Sequence, residues 1–282
     1  MLELDKTAVD KQMAALSDVL EATPADSALF SAAQNGNLKV GVDLGTAYLV
    51  MLVLDASNRP VAGSYEFAQV VRDGLVVDFI GAVDRLKVMK ANLESRLGCS
   101  LTHAATAYPP GVPAGEQRAT GYVLESAGLE CSAMIDEPSA ANQVLGMRDG
   151  AVVDVGGGTT GVAIIKDGKI VYTADEATGG THFSLVIAGA LNLSFEEAEE
   201  RKKQSGQQKV LFAHIRPVME KVASIVDRHI RDYNVDQIAL VGGTSMFDGM
   251  DHVLEEWTGV PTWIPKHPMF VTPYGIAMQD TK

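Results

Sequence analysis

Two short stretches of this chain repeat one another. Lys39-Val-Gly-Val-Asp-Leu-Gly-Thr and Ala151-Val-Val-Asp-Val-Gly-Gly-Gly-Thr-Thr each carry an apolar run into an aspartate, followed by glycine and threonine. Asp43 and Asp154 are 111 residues apart, and each stretch leads into a further apolar segment. Each therefore reads as a strand, a tight turn and a second strand. An echo at this distance predicts two halves built on the same plan. Boundaries follow from it: an N-terminal extension at 1–38, a first lobe at 39–150 and a second lobe at 151–282.

Elements between the repeats alternate between strand and helix, which predicts α/β layering. Tyr48 to Leu54 suits a buried strand. Gly81 to Leu97 is helical by period, with Val83, Leu86, Met89, Leu93 and Leu97 on one side. Glu116 to Ala127 reads as a helix closed by Gly128, and Ala104 to Tyr108 as a strand. Asp167-Gly168 between apolar runs predicts a hairpin with a type I′ turn. Phe212, Ile215, Met219, Val222, Val226 and Ile230 mark a long amphipathic helix. In the extension, Val9, Met13, Leu16 and Leu20 form one helical face, while Ser27 to Asn37 reads as a linker. That helix either packs on the body or docks, tethered, into a partner's groove.

The glycine-rich turns carry the chemistry. Glycines allow consecutive backbone N–H groups to converge on an anion, and a neighbouring hydroxyl adds one more donor. An aspartate at the strand end can hold a hydrated Mg²⁺ that offsets phosphate charge. Gly45, Thr46 and Ala47 form the first such turn with Asp43. Gly156, Gly157, Gly158, Thr159 and Thr160 form the second with Asp154. Facing each other, the two would clamp a polyphosphate; alone, either one would be an ordinary hairpin whose aspartate caps its turn. A P-loop is excluded, because GxxxxGK[ST] is absent. Gly156 to Gly161 matches GxGxxG by its letters, but a strand pattern follows where a dinucleotide fold needs a helix.

The charge balance narrows the partners. Lys and Arg number 23 against 36 Asp and Glu, a net charge of −13. Such a surface repels nucleic acid and anionic membranes. No stretch resembles a membrane span or a secretory signal, so a cytoplasmic protein is expected. Cys99 and Cys131 read as reduced thiols, with a single disulfide as the alternative. The six histidines show no ligand spacing, and no zinc is assigned.

Five ordered motifs resemble the actin, Hsp70 and sugar-kinase superfamily. Gly41 to Thr46 resembles its first phosphate motif and Asp154 to Thr159 its second. Leu240-Val-Gly-Gly-Thr-Ser-Met246 resembles the adenosine motif. Glu137-Pro-Ser-Ala-Ala141 and Pro273-Tyr-Gly-Ile-Ala277 resemble the two connecting motifs. Glu116 to Thr120, Ala127 to Glu130, Glu137-Pro138 and Glu197 to Lys202 are similar to the Hsp70 ATPase branch, and the compact body resembles the J-protein family of bacterial ethanolamine utilisation.

The resemblance implies an actin-like ATPase fold: duplicated ribonuclease H-like mixed sheets with flanking helices, in two lobes around a nucleotide cleft. It implies ATP or ADP with Mg²⁺ as ligands, and Asp43 and Asp154 holding the metal through water. Glu137 would position the attacking water, and Glu199, Lys202, Gly242, Gly243 and Thr244 would hold the adenosine end. Residues 55–80 offer no match for the catalytic lysine of Hsp70; Arg72 is the nearby cation, or a plain surface charge. ATP binding with slow hydrolysis follows. The sequence runs only a few residues past the second connecting motif, so no peptide-binding domain is expected.

The leading expectation is a chaperone-type protein whose nucleotide-dependent lobe closure is read by a partner. That partner would be the ethanolamine ammonia-lyase or a microcompartment shell protein. The alternatives are a nucleotide-dependent scaffold or filament protein and, with less room for an acceptor site, a small-molecule kinase.

Overall fold

The computed structural model describes residues 5–20, 37–72 and 75–282. The expected linker at 27–37 falls almost wholly outside them. The chain divides into two compact units, Asp5–Gly146 with Phe270–Lys282, and Met147–Met269.

The first unit opens with α1 (Lys6–Leu20) and holds five strands in one sheet: β1 (Lys39–Leu44), β2 (Tyr48–Leu54), β3 (Pro60–Phe67), β6 (His103–Tyr108) and β7 (Glu130–Asp136). A small separate hairpin pairs β4 (Val71–Arg72) with β5 (Leu75–Val76). The strand order is β3-β2-β1-β6-β7. The first three strands form an antiparallel meander, and β1, β6 and β7 run parallel. Period-2 alternation gives each strand two faces. Val40, Val42, Leu49, Met51 and Val53 point to one face. There they pack with α2 (Phe79–Leu97) and α3 (Ala114–Ser126). All five apolar positions expected on α2 are buried, and Asp78 caps its start by accepting from the Gly81 N–H at 2.9 Å.

The opposite face is covered by α4 (Glu137–Leu145), α1 and the last helix of the chain. α1 lies over β3, with Val9, Met13, Leu16 and Val19 buried and Leu20 against Gly63. The expected amphipathic helix is therefore part of the body, since its apolar stripe covers an otherwise open sheet face.

The second unit repeats the plan. Its strands are β8 (Gly150–Val155), β9 (Thr160–Lys166), β10 (Lys169–Glu176), β11 (Ile238–Val241) and β12 (Thr262–Trp263). Their order is β10-β9-β8-β11-β12. Again a three-stranded antiparallel meander is followed by two parallel strands. The β9–β10 turn has φ of 53° at Asp167 and 76° at Gly168, the backbone that Asp-Gly predicts. Helices α5 (Gly180–Leu191), α6 (Phe195–Lys203), α7 (Ser205–Ile230) and α8 (Met250–Thr258) build its core.

The C-terminal residues depart from the expected division. Sequence placed everything from 151 to 282 together, yet α9 (Val271–Met278) packs in the first unit. A Cβ on Gly41 of β1 would lie 2.4 Å from the Ala277 nitrogen, and one on Gly275 only 1.8 Å from the Ala140 carbonyl oxygen. Glycine at both positions lets α9 lie directly on β1 and α4. Beyond α9, Asp280 is fully buried. Its carboxylate accepts from the Val40 N–H at 2.8 Å and the Ser132 hydroxyl at 2.7 Å, and lies 2.8 Å from His103 Nδ1. A strand start, two further strands and the chain's end are thus tied by one carboxylate. The unit boundary falls at Gly146/Met147, ahead of the expected 150/151. Cys99 and Cys131 are both free thiols.

Candidate functional site

In the first unit, Asp43 is the penultimate residue of β1, and the turn Gly45-Thr46-Ala47 follows. The Gly45 N–H donates to the Tyr48 carbonyl at 3.0 Å and closes the turn; the Ala68 N–H donates to the Ala47 carbonyl at 2.9 Å. Register places Tyr108 opposite Asp136, so β6 and β7 end together, and β1 runs parallel beside them. Asp136 caps α4, accepting from the Ser139 N–H at 2.9 Å, and Glu137 is the first helical residue. Asp43, the first turn and Glu137 therefore share the carboxyl end of the parallel strands, where open α/β sheets bind ligands. Arg72 is exposed on β4.

In the second unit, Asp154 pairs with Val241, placing the ends of β8 and β11 side by side. Gly242 follows β11 at φ 90°, and a Cβ there would fall 2.3 Å from Asp154 Oδ1. Only glycine allows the segment after β11 to come this close to that carboxylate. Gly243, Thr244, Ser245 and Met246 form a 3₁₀ turn.

The second turn is held from behind. The Gly156 N–H donates to the Thr159 carbonyl at 3.0 Å. The Gly156 carbonyl accepts from the Gly180 N–H at 2.9 Å and the Thr244 hydroxyl at 2.8 Å. The Gly157 carbonyl accepts from the Thr181 N–H at 2.8 Å. Gly180 and Thr181 open α5, so the positive end of that helix is spent on these two carbonyls. In a trans peptide the N–H points opposite to the C=O. With both carbonyls turned toward α5, the N–H groups of Gly157 and Gly158 point away from it, polarised by the bonds their peptide units accept. This is the geometry of an anion cradle.

Four residues expected at the ligand make their bonds within the protein, Thr244 through the hydroxyl that donates to the Gly156 carbonyl. Thr160 is fully buried, and its hydroxyl donates to the Thr178 carbonyl at 2.6 Å. Alternation along β9 turns it inward, one residue past the turn. Glu199 is buried, and Lys202 lies against it at 2.7 Å. The Lys202 ammonium also donates to the Gly180 carbonyl at 3.0 Å and the Ser184 hydroxyl at 2.9 Å, which uses all three of its hydrogens. Ser184 in turn donates to Glu199 at 2.5 Å. Burial holds the Lys202 ammonium below the usual lysine range, with Glu199 opposing that shift. Glu199 and Lys202 thus brace the first turn of α5 from within. Sequence reasoning overlooked Gly179, Gly180 and Ser184 as parts of this site; a Gly-Gly pair opening an apolar helical run was the available signal of close approach.

Comparisons with known proteins agree with this architecture. Residues 122–272 match the family described as "Type IV pilus assembly protein PilM". The chain is 44% identical to "Ethanolamine utilization protein EutJ" of Salmonella typhimurium over 247 residues, 87% of each chain. A crystal structure of ethanolamine utilization protein EutJ from Carboxydothermus hydrogenoformans superimposes with a TM-score of 0.89 at 43% identity. It covers 97% of this chain and 99% of that one. A PilM–PilN type IV pilus biogenesis complex aligns with a TM-score of 0.74 at 17% identity, over 86% of this chain and 98% of that one, a likeness of fold alone.

Proposed function

Because the chain belongs to the ethanolamine utilization protein EutJ family, with an actin/Hsp70-like ATPase fold, we propose that it binds ATP with Mg²⁺ and acts on a protein partner in ethanolamine utilisation. The observation that carries this reading is the pair of peptide units at Gly156–Gly157 and Gly157–Gly158, whose carbonyls are bonded to the start of α5. That arrangement presents N–H donors to an anion, and the phosphates of a nucleotide are the anions the fold serves.

The residues fit Mg²⁺ by their chemistry: two carboxylates, Asp43 and Asp154, each beside a phosphate-type turn, suit a hard cation that keeps most of its waters. Held there through water, the metal would neutralise phosphate charge. Gly45, Thr46 and Ala47, with Gly156 to Thr159, would receive the phosphates. The backbone at Gly242 and Gly243 would approach the nucleoside, while Glu199, Lys202 and Thr244 position the turn and the helix behind it. Glu137 would align water for slow hydrolysis, since phosphoryl transfer depends on alignment and charge. The partner, an ethanolamine-degrading enzyme or a microcompartment shell protein, would read the nucleotide state, and the site of action would be the cytoplasm.

Calorimetric titration with Mg-ATP tests the reading. Asp43→Ala and Asp154→Ala should each weaken binding by about tenfold or more, the loss expected for a charge-assisted contact. Wild-type affinity in both variants would refute it.

A further inference from the structure

Two aspartates of the second unit flank a glycine on one face of its sheet. Register puts Asp154 of β8 opposite Gly161 of β9, and Gly161 opposite Asp175 of β10. Residues that meet in register share a face. Asp154 and Asp175 are each the penultimate residue of their strand, so both stand at the end of the sheet that carries the Gly156–Thr159 turn. Their face is opposite the helical core: Val153, Val155, Val162 and Ile164 alternate with them and belong to that core. Glu176, the neighbour of Asp175, turns toward α7, where the Arg228 guanidinium donates to it at 2.6 Å. Asp175 is thereby directed to the other side. Gly161 is buried, yet among the described residues beyond its chain neighbours a Cβ there would meet only two atoms within 4 Å. They are Asp175 Oδ1 at 3.8 Å and the Asp154 Cβ at 3.9 Å. The space over Gly161 is therefore walled by the two aspartates, and a methyl group would enter it.

This pair borders the anion cradle directly. Gly156 follows Asp154 by two residues, and β9 leaves the turn one residue before Gly161. We propose that Asp175 is a further carboxylate for the cation of this site, holding hydrated Mg²⁺ together with Asp154 in the space over Gly161. The inference rests on the Mg-ATP reading above and adds a residue to it. Two carboxylates beside an anion cradle repel a polyphosphate, and a divalent ion held by both turns that repulsion into attachment. The strands that carry them are two spacings, about 10 Å, apart. Such a span suits an ion that keeps its waters, as Mg²⁺ does, better than one gripped bare. Glycine at 161 keeps the intervening space open.

Calorimetric titration of the full chain with ATP, at graded Mg²⁺ and with the metal chelated, tests the assignment. Asp175→Asn keeps the shape of the side chain and removes its charge. The Mg²⁺ concentration giving half of the metal-dependent gain in affinity should rise about tenfold, the loss of one charge-assisted contact. ATP without metal should bind at least as well as to wild type, because a negative charge near the phosphates has gone. Gly161→Ala should raise the Mg²⁺ requirement in the same direction, and its unfolding temperature should stay near wild type, since the new contacts are of ordinary van der Waals length. A requirement within twofold of wild type in either variant overturns the proposal. So does an equal loss of affinity with and without metal, which is the mark of a structural role. If Asp154→Ala weakens Mg-ATP binding while Asp175→Asn leaves the Mg²⁺ requirement unchanged, this inference alone falls. A wild-type chain that binds no Mg-ATP removes the inference and the reading beneath it together.

Discussion

In the first unit, the strand that carries Asp43 is fixed by close packing together with one buried carboxylate. Gly41 and Gly275 bring α9 against β1 and α4 at distances no larger residue would permit, and the buried Asp280 ties the end of the chain to the sheet. In the second unit, the corresponding turn is fixed by polar bonds. Two N–H groups of α5, the Thr244 hydroxyl and the Lys202–Glu199–Ser184 cluster hold it from behind. The two sheets share strand order, and both aspartates sit at the carboxyl ends of their strands. Duplication thus preserved the presentation of a carboxylate and a turn but not the means of support. A close-packed support resists any added volume, whereas a polar support is sensitive to loss of one partner.

The largest effect should come from adding volume in the first unit. In Gly275→Val the new Cβ would sit 1.8 Å from a backbone oxygen of α4, which no rotamer relieves. Helix α9 must separate from α4, at a cost of about 3 kcal/mol or more. Urea unfolding of Gly275→Val should show a correspondingly lower midpoint. A loss below about 1 kcal/mol, the size of an ordinary substitution, would mean that this support yields more easily than its geometry says.

Removing charge from the second unit should rank next. Lys202→Ala leaves the buried Glu199 carboxylate with the Ser184 hydroxyl and the more distant Lys203, 3.9 Å away. Because the Lys202 side chain keeps 14% exposure, water offsets part of the loss, and about 2 kcal/mol is expected. The paired apolar change Lys202→Met/Glu199→Leu should recover most of it, since no charge is then stranded. If the double variant is as unstable as the single one, the cluster acts through packing, and the contrast between the units dissolves.

Local signals were legible in the sequence. Asp167-Gly168 fixed its hairpin, Gly128 ended its helix, and the period of α2 named its buried face. The repeated aspartate turns revealed the duplicated sheets because both the strands and their turns are set by neighbouring residues. The strand that follows Gly156-Gly-Gly-Thr also settled the accidental GxGxxG match. What escaped depends on contacts far apart in the chain. Nothing local at Pro273 to Ala277 says that it returns to β1, more than 200 residues earlier. Glu199 and Lys202 were visible as a motif, but their mutual burial under Gly180 was not. Thr160 was assigned by adjacency to the turn, whereas strand alternation turns it to the core.

That last residue offers the smallest and most discriminating test of the comparison. Thr160→Val keeps the shape of a fully buried side chain but removes the hydroxyl that donates to the Thr178 carbonyl. One buried acceptor is left without its donor, which costs about 1 kcal/mol. The turn proper, from Gly156 to Thr159, retains every bond it makes to α5 and Thr244. Stability should therefore fall slightly while Mg-ATP affinity stays within about twofold of wild type, a difference under half a kcal/mol. A tenfold loss of affinity with stability intact would instead make Thr160 part of the phosphate cradle. The inward alternation of β9 would then have to reverse when ligand binds.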